Sequence, residues 1–510
     1  MSDNPEKSPA RIVDSMPESF VSNARISNEV IRRVKAGRLR KLATRLYTRN
    51  LKEAPEQIVL RNLWTIVGGY FPGAVVADRT AMELKPAADG SVCIVTPRGR
   101  NIALPGVVLR PRRGAPPQDD DRPFMGQHLF LSSTARTYLD NLVPSRARAG
   151  RLARTLPRKE IEVQLEKLLA SAGPQALNRL RDDARRVAGS LDRARQHVEL
   201  DQIIGALSGT REARLTARTA RARARGQAYD AERISLFEEL FTFLRKTPAP
   251  KIRPPARDGI GNATLAFFES YFSNHIEGTR FDVGEAENIV FHGHIPQQRR
   301  ADAHDILGVW RIVSDASEIR RVPKSAEKLA DLLRDRHAQV FSGRPEASPG
   351  RFKTVANRAG GIVFVAPEAV PGTLKRGFDL YRGLDSAFHR AAFMHFLISE
   401  VHPFTDGNGR LARIMMNAEL VAEDEERIVI PTVYRDNYIA AQRALSSGRA
   451  AEPLVRTLDF AWRWTSAVPW GALNDTAEQL KACNAFDSEA EADAKGVRLT
   501  MPEYGQPTSS

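Results

Sequence analysis

The amino-acid sequence predicts a mainly α-helical protein, with a helical core and one small β-hairpin in its second half. A small α/β domain and a basic helical region precede that core. Two observations lead to this prediction. Apolar side chains recur at helical spacing, as Leu265, Phe268, Phe272 and Ile276 do, and runs of β-prone residues are few and short. A chain of 510 residues has room for about two to four domains of ordinary size.

The composition, 42% hydrophobic and 27% charged, is typical of a soluble globular protein. No stretch of about 18 apolar residues occurs, and the N-terminus lacks the apolar segment of a secretion signal. We therefore expect a cytoplasmic protein without a membrane span. Cys93 and Cys483 lie far apart, and neither has a Cys or His nearby, which disfavours a disulfide or a zinc site.

The formal net charge is +15, and arginine is concentrated in the first half of the chain. Such an excess favours a polyanionic partner such as DNA. Solvated helix faces are the alternative explanation.

The first part of the chain predicts a small basic domain. Residues 1–21 are polar with three prolines and predict a loose tail. Ser27–Val34 predicts a short basic helix, and residues 38–48 predict two short strands. A basic helix followed by a basic hairpin is the arrangement of a winged helix, in which cations neutralise DNA phosphates. A further hairpin is expected to turn at residues 88–90.

Residues 22–142 as a whole are similar to AbiEi-type antitoxins, the transcriptional regulators of some toxin–antitoxin pairs. The resemblance includes a capped helix expected over residues 132–139. It implies an α/β domain that binds DNA. Any small α/β domain with a basic surface is the alternative.

Residues 143–228 predict a basic helical region. Leu165, Leu168 and Leu169 recur at helical spacing. Arginines then crowd the stretch from 211 to 225, which could contact nucleic acid or form a solvated linker helix.

A second domain is expected over residues 229–471. The apolar face that contains Phe268 and Phe272 predicts a helix over residues 264–277, and Gly278 ends it. The nearly apolar stretch Ala391–Val401 predicts a buried helix that leads into the segment His402–Arg413.

The segment His402–Arg413 combines groups that bind anions. Gly407 and Gly409 allow positive φ, so consecutive N–H groups can form an anion-binding nest. A helix is predicted directly afterwards, and its N-terminus would face the same anion. Arg410 and Arg413 are neighbours on one face of that helix and can bind terminal phosphates.

The remaining polar side chains of the segment suggest phosphate chemistry. Asp406 is suited to hold Mg²⁺, which takes one or two carboxylates together with phosphate oxygens. His402 can accept a proton from a hydroxyl near neutral pH. Asn408 would shape the loop or bind a phosphate oxygen. A helix-capping turn with a core histidine and solvated arginines is the structural alternative.

The whole string, HPFTDGNGRLAR, matches the pattern H-x-F-x-[D/E]-G-N-G-R-x-x-R and resembles the Fic family of AMP transferases. The resemblance implies that AMP moves from Mg·ATP to a Ser, Thr or Tyr hydroxyl of a protein. His402 would be the base. The choice of AMP over another nucleotide comes from the resemblance, because the motif itself indicates only phosphate chemistry.

A restraint on this site is expected from the helix at residues 264–277. Ser273 and Glu277 are four residues apart on one face, and a carboxylate in the last turn is disfavoured by the helix dipole. The pattern Ser-x-x-x-Glu-Gly, ending at Gly278, is similar to the inhibitory motif of Fic proteins that carry it N-terminal to the core. The resemblance implies that Glu277 pairs with Arg413. A surface glutamate beside an ordinary helix end is the alternative.

Three further expectations complete the prediction. Two β-prone runs within residues 351–365 predict a hairpin, which in Fic proteins aligns the target by strand addition. Tyr438 resembles a position that contacts adenosine, although packing explains it as well. Residues 472–510 predict a C-terminal tail.

The sequence thus predicts a protein adenylyltransferase that uses ATP and Mg²⁺ and is autoinhibited by Glu277. Two alternatives remain: a DNA-binding regulator or antitoxin with a silenced Fic domain, and an enzyme that removes AMP at the same site. The target protein is not defined by the sequence. Self-modification, a homodimer and DNA binding are left open.

Overall fold

The structure is a computed structural model that describes residues 8–125, 128–148, 150–249, 251–359 and 361–502. It divides into two compact units, Met1–Arg225 (unit 1) and Gly226–Ser510 (unit 2). Within the described residues, helices are the main element of both units, as the sequence predicted. No helix in these residues is long and apolar enough to cross a bilayer.

The helices described in unit 1 are α1 (Pro9–Ser15), α2 (Ser27–Lys35), α3 (Pro55–Arg61), α4 (Leu63–Tyr70), α5 (Asp78–Glu83), α6 (Thr134–Asn141), α7 (Arg158–Val187), α8 (Ala194–Leu207) and α9 (Arg218–Ala224). Its strands are β1 (Ser19–Val21), β2 (Arg40–Ala43), β3 (Leu46–Thr48), β4 (Ala74–Val76), β5 (Ser91–Val95), β6 (Ile102–Leu104), β7 (Val107–Arg112), β8 (Arg122–Pro123) and β9 (Leu129–Leu131).

The N-terminal part of unit 1 contains the predicted basic helix, α2, followed by the β2–β3 hairpin. β1 pairs with β3, so the three strands form an antiparallel sheet in the order β1-β3-β2. Phe20, Ile26 and Val30 are buried together beneath it.

The loose tail predicted for residues 1–21 is wrong over residues 8–21, which form α1 and β1; residues 1–7 lie outside the described residues. Pro9 occupies the first turn of α1, where proline fits a helix, and the Ser8 side chain caps it. The Arg49 guanidinium donates to the carbonyl oxygens of Asp14 and Met16 at 2.7 and 2.6 Å. These contacts hold a segment whose prolines had suggested disorder.

A mixed sheet in the order β6-β7-β5-β4-β9-β8 forms the middle of unit 1. The hairpin predicted to turn at residues 88–90 is wrong, because the preceding segment is helix α5 rather than a strand. Asp78, the first residue of α5, has its carboxylate held by Arg112 and Arg154. The turn at residues 88–90 therefore connects a helix to β5.

The basic helices α7, α8 and α9 follow, as predicted for residues 143–228. Tyr138 and Leu139 of α6 share one buried cluster with Leu165 of α7 and Ile203 of α8. The region 22–142 and residues 143–225 of the proposed region 143–228 consequently belong to one compact unit, whereas residues 226–228 belong to unit 2.

The helices described in unit 2 are α10 (Ala231–Lys246), α11 (Gly259–Ile276), α12 (Val283–His292), α13 (Arg300–Ser314), α14 (Ala316–Ile319), α15 (Ala326–Val340), α16 (Val370–Tyr381), α17 (Ala387–Val401), α18 (Asn408–Val421), α19 (Arg435–Ser446), α20 (Glu452–Ala467), α21 (Leu473–Ala482) and α22 (Glu489–Lys495), and its strands are β10 (Arg358–Ala359) and β11 (Ile362–Val363).

Helices α17 and α18 form the centre of unit 2 and are joined by the short connection 402–407. α17 is buried over most of its length, as its apolar sequence predicted. Its side chains pack with those of α10, α16 and α20 in one large core. This packing holds both ends of the connection rigidly.

The predicted hairpin exists, with β10 and β11 paired antiparallel, but it is shorter than the β-prone runs suggested. Residues 351–357 form no strand; the Lys353 N–H and the Asn357 side chain donate to carbonyl groups of the 402–407 connection instead.

The predicted C-terminal tail, 472–510, is wrong over residues 473–502, which carry α21 and α22; residues 503–510 lie outside the described residues. Leu480, Cys483 and Ala485 are buried with Phe268 and Phe272 of α11. Scattered apolar residues in an otherwise acidic segment account for this packing.

Candidate active site

The loop at residues 402–407 owes its shape to two residues in the left-handed region. His402 ends α17 with φ 52°, and Gly407 precedes α18 with φ 78°. A Cβ atom at Gly407 would also collide with the ring of Phe341. Glycine is therefore required at 407 by conformation and by space.

Asn408 shapes the loop. Its Oδ1 accepts from the Phe404 N–H and its Nδ2 donates to the Phe404 carbonyl, both at 2.9 Å. The Phe404 ring is buried and stacks on His337, with centroids 3.9 Å apart. Of the two roles that the sequence left open for Asn408, this structure displays the shaping role.

His337 supports the other side of the loop. The Gly350 N–H donates to its Nδ1 at 2.9 Å, so Nε2 carries the proton that is shared with the Asp406 carbonyl at 3.2 Å. Burial lowers the pKa of His337 to about 4, so its ring is neutral at pH 7. The sequence analysis did not single out this residue.

His402 presents one free ring nitrogen. Its Nδ1 lies 3.3 Å from the Ser399 carbonyl, which can only accept, so Nδ1 carries the proton. The lone pair is then on Nε2. The ring stacks face to face on Phe364, with centroids 3.7 Å apart and planes at 8°. Burial, opposed by the Ser399 contact, lowers the pKa of His402 to about 4, which keeps Nε2 unprotonated at neutral pH.

Arg413 is held by the two residues predicted to restrain it. Its Nη2 lies 2.7 Å from Oε1 of Glu277 and 2.8 Å from the Ser273 carbonyl, and its Nε donates to the Ser273 hydroxyl at 3.0 Å. Burial alone would raise the pKa of Glu277, but Arg413 outweighs it and holds that pKa below the usual value. The carboxylate is therefore ionised at neutral pH.

Glu277 also approaches the start of α18. A Cβ atom at Gly409 would collide with the Glu277 carboxylate, so glycine at 409 leaves the space that this carboxylate fills. Glu277 itself ends α11, and Gly278, with φ 96°, turns the chain away. The Glu277 side chain remains 27% exposed.

Arg410 is anchored by an acid that the sequence analysis missed. Its Nη1 lies 2.6 Å from Oδ2 of Asp305, a fully buried residue that also binds Arg344. Arg410 Nη2 is 3.7 Å from Asp406. Asp305 lies in α13, far upstream of Arg410 in the sequence.

Asp406 is the residue available for a metal ion. Its side chain is 53% exposed, and Oδ1 accepts from the Gly407 N–H at 2.6 Å. Among the described residues no group of three or more His, Cys, Asp or Glu side chains is arranged for a metal. One accessible carboxylate fits Mg²⁺, which keeps several waters and takes its other ligands from phosphate.

Tyr438 has a packing role in this structure. Its ring is 2% exposed, and its hydroxyl lies 2.5 Å from Nε2 of His395 and 3.5 Å from Nη1 of Arg413. A ring buried in this way packs against Arg413 and supports it, and the adenosine contact implied by the resemblance stays a prediction.

The structure thus brings together the residues predicted for catalysis and restraint. His402, Asp406, Arg410 and Arg413 surround the N-terminus of α18, and Glu277 reaches the same place from α11. A neutral imidazole, an exposed carboxylate and a helix N-terminus with two arginines form a site for phosphate-transfer chemistry.

Comparison with known proteins shows what this part of the chain is similar to. The Fic/DOC family model matches residues 328–420, which include the 402–407 loop and α18 as far as Leu420. The curated protein adenylyltransferase fic-1 of Caenorhabditis elegans is 26% identical over 195 residues, which are 37% of this chain and 38% of that protein. Protein adenylyltransferase Fic of Drosophila melanogaster is 24% identical over 253 residues, 48% of this chain and 50% of the relative.

The chain spans at most about half the length of these curated relatives. Among solved structures, a Fic domain containing signaling protein from Bacteroides thetaiotaomicron aligns with 54% of this chain and 100% of its own, at 19% identity and a TM-score of 0.35. Fic-1 (residues 134–508) of C. elegans aligns with 64% of this chain and 90% of its own, at 17% identity and a TM-score of 0.34.

Proposed function

We propose that this protein transfers AMP from ATP to a Ser, Thr or Tyr hydroxyl of a protein, and that Glu277 restrains the transfer. The observation that carries the proposal is the position of His402. Its free, unprotonated Nε2 belongs to the same short loop that opens into the N-terminus of α18. A base and an anion site side by side suit transfer of a phosphate group to a hydroxyl.

The chemistry follows from these positions. The hydroxyl oxygen bonds to the α-phosphorus, its proton passes to Nε2 of His402, and the bond to the bridging oxygen breaks to release pyrophosphate. The N–H groups at the start of α18, with Arg410 beside them, stabilise the charge that develops on the phosphates. Asp406 would hold Mg²⁺, which supplies further charge neutralisation when bound.

The restraint is a competition for one guanidinium. Arg413 is buried and makes a charge-assisted hydrogen bond with Glu277. A terminal phosphate of ATP would need the same donors, and the Glu277 carboxylate fills the space over Gly409. ATP would therefore be excluded from the productive position until Glu277 moves away.

The test is incorporation of α-labelled AMP into protein in the presence of Mg·ATP, followed by intact-protein mass spectrometry. Glu277→Gly should increase self-labelling or labelling of a lysate. His402→Ala in the Glu277→Gly background should reduce labelling by about 10²- to 10⁴-fold, the usual contribution of a general base. ATP binding, measured by calorimetry, should persist in that double variant.

Glu478→Gly, at an exposed glutamate of α21, is the matched control for Glu277→Gly and should leave labelling unchanged. Labelling that survives His402→Ala would exclude His402 as the base. Loss of AMP from pre-labelled protein, if it depends on Glu277, would instead support the reverse reaction with Glu277 orienting water.

Nucleic-acid binding by unit 1 is a second candidate function. The excess of basic over acidic residues in the chain lies in residues 1–225, whereas residues 226–510 hold slightly more acidic than basic residues. Lys35, Arg38, Lys41 and Arg45, at the end of α2 and along the β2–β3 hairpin, are exposed. Cations in this arrangement suit contact with phosphates.

DNA affinity measured between 50 and 200 mM salt tests this candidate, because several phosphate contacts make binding fall steeply with salt. Replacing Arg38 and Lys41 by Gln should flatten that dependence. Binding that is insensitive to salt, or absent at low salt, would exclude this role.

A further inference from the structure

The β10–β11 hairpin is tied to the His402 loop by a buried lysine. The side chain of Lys353 lies in the turn between α15 and the hairpin, and the residue is only 4% exposed. Its backbone N–H donates to the Pro403 carbonyl at 2.9 Å, and its Nζ faces the Val401 carbonyl at 3.5 Å. Lys353 therefore contacts the residues on both sides of His402.

Asn357 links this lysine to the hairpin. Its Oδ1 accepts from Lys353 Nζ at 2.7 Å, and its Nδ2 donates to the Phe404 carbonyl at 2.9 Å. Its own carbonyl accepts from the Phe364 N–H at 3.2 Å, just after β11. One side chain and one backbone group of Asn357 thus fix the hairpin and the loop relative to each other.

The hairpin in turn fixes the imidazole. Phe364 is the residue that stacks face to face on His402, and Lys353 Nζ lies 5.9 Å from the Phe364 ring centre. The plane of the His402 ring, and with it the direction of the Nε2 lone pair, depends on where Phe364 stands.

A lysine is unusual at a buried position that serves only for packing. Among the described residues no carboxylate lies within ion-pair distance of its ammonium, which is bound by uncharged oxygens. A buried charge without a counter-ion costs stability. Burial accordingly lowers the pKa of Lys353 to about 8. An apolar side chain would fill the space without this cost.

We propose that Lys353 and Asn357 are positioning residues for the transfer reaction: they hold Phe364 against His402 and thereby aim Nε2 at the incoming hydroxyl. This inference rests on the proposed function and adds two residues that touch neither ATP nor the hydroxyl. Their effect should fall on the rate of the chemical step, since the contacts with Arg410 and Arg413 are unchanged.

The kinetic test uses Lys353→Met, Asn357→Ala and Asn357→Asp in the Glu277→Gly background. The first two variants should lower kcat for AMP incorporation by about 10- to 100-fold, as expected for a misplaced base, with KM for ATP within about twofold. Asn357→Asp keeps an acceptor for Lys353 but loses the donor to Phe404. Its kcat should therefore lie between that of the Glu277→Gly parent and that of Asn357→Ala. Lys375→Met, an exposed lysine of α16, is the matched control.

A spectroscopic test does not need activity. With ¹³C-labelled histidine, the His402 ring signal, assigned by its loss in His402→Ala, should be displaced upfield by the Phe364 ring beneath it. Lys353→Met and Asn357→Ala should return this signal toward the position of exposed histidines, while Lys375→Met should not.

A His402 signal that stays displaced in both variants overturns the inference, whatever happens to kcat. An unchanged kcat in an active parent overturns it as well. If the signal moves but the Glu277→Gly parent incorporates no AMP, the proposed function fails while the positioning of His402 stands. If Lys353→Met does not fold, the same two measurements on Asn357→Asp test the inference.

Discussion

Two features of its surroundings change the pKa of His402 in opposite directions. Burial lowers its pKa, and the hydrogen bond to the Ser399 carbonyl raises it, leaving a value of about 4. A base must be unprotonated, so the competent form persists at every pH above that value. A histidine with an unperturbed pKa near 6.5 would be half protonated at about pH 6.5 and almost fully protonated at about pH 4.

We therefore expect kcat/KM of the Glu277→Gly protein to stay level from about pH 8 down to about pH 5 and to fall only below. The Glu277 carboxylate raises the pKa of His402, so removing this carboxylate does not move the fall in kcat/KM to a higher pH. Initial rates of AMP incorporation across this range measure it. A fall centred near pH 6.5 would mean that the imidazole is open to water during catalysis.

A second residue-scale prediction concerns Tyr438. Its hydroxyl lies between His395 and Arg413, and Tyr438→Phe would leave a buried ring nitrogen without its partner. Such a loss costs about 1–3 kcal/mol. Chemical denaturation should record that cost, and ATP binding should weaken only modestly, because the Ser273 hydroxyl and carbonyl still hold Arg413 in place.

The sequence predicted the site residues that lie within the segment His402–Arg413, but not those that contact this segment from elsewhere in the chain. The order of residues from His402 to Arg413 predicted the turn, the anion site and the helix after it. Asp305, His337 and Lys353 act on that loop through contacts across 48 to 105 positions of the chain. No spacing within one element indicates such contacts, because they depend on how α13, α15 and the hairpin pack.

Among the elements, α11 is held on two sides. Its last turn presents Ser273 and Glu277 to Arg413, while Phe268, Tyr271 and Phe272 contact the ring of Phe486 in the C-terminal segment. The segment that the sequence suggested to be a tail thus packs against the helix that carries the restraint. Leu473, Ala477 and Leu480 do recur at helical spacing, but the run is short and lies among polar and acidic residues. Its packing against α11 depends on contacts between segments far apart in the chain, which spacing within one element does not indicate.

Phe486→Ala should loosen α11 and raise AMP incorporation by the otherwise unaltered protein. Removing a packed aromatic ring costs about 3 kcal/mol or less at a partly buried site. Labelling rate and melting temperature should move in opposite directions. Lys481→Ala, an exposed residue of α21, is the control. A destabilised Phe486→Ala protein with unchanged labelling would show that Glu277 holds its place without the C-terminal segment.

At the scale of the molecule, unit 2 carries buried groups whose protonation differs between the folded and unfolded chain. Burial lowers the pKa of His337 and His402 to about 4 and of His395 to about 3. Between about pH 4 and 6.5 the unfolded chain binds protons at these histidines that the folded chain does not, so stability rises with pH. Burial raises the pKa of Glu419 to about 7, which acts in the opposite direction above pH 4.5.

Three histidines outweigh one glutamate, so the free energy of unfolding of unit 2 should increase with pH between about 5 and 6.5. Each group contributes at most about 1.4 kcal/mol per pH unit, which gives a net slope of up to about 3 kcal/mol per unit. Denaturant unfolding followed by tryptophan fluorescence measures this, since Trp310, Trp462, Trp464 and Trp470 lie in unit 2. In Glu419→Gln the opposing contribution disappears and the slope should steepen, even if the variant is less stable at every pH. A slope that is flat in the parent, or equal in the two proteins, would contradict this account of the buried core.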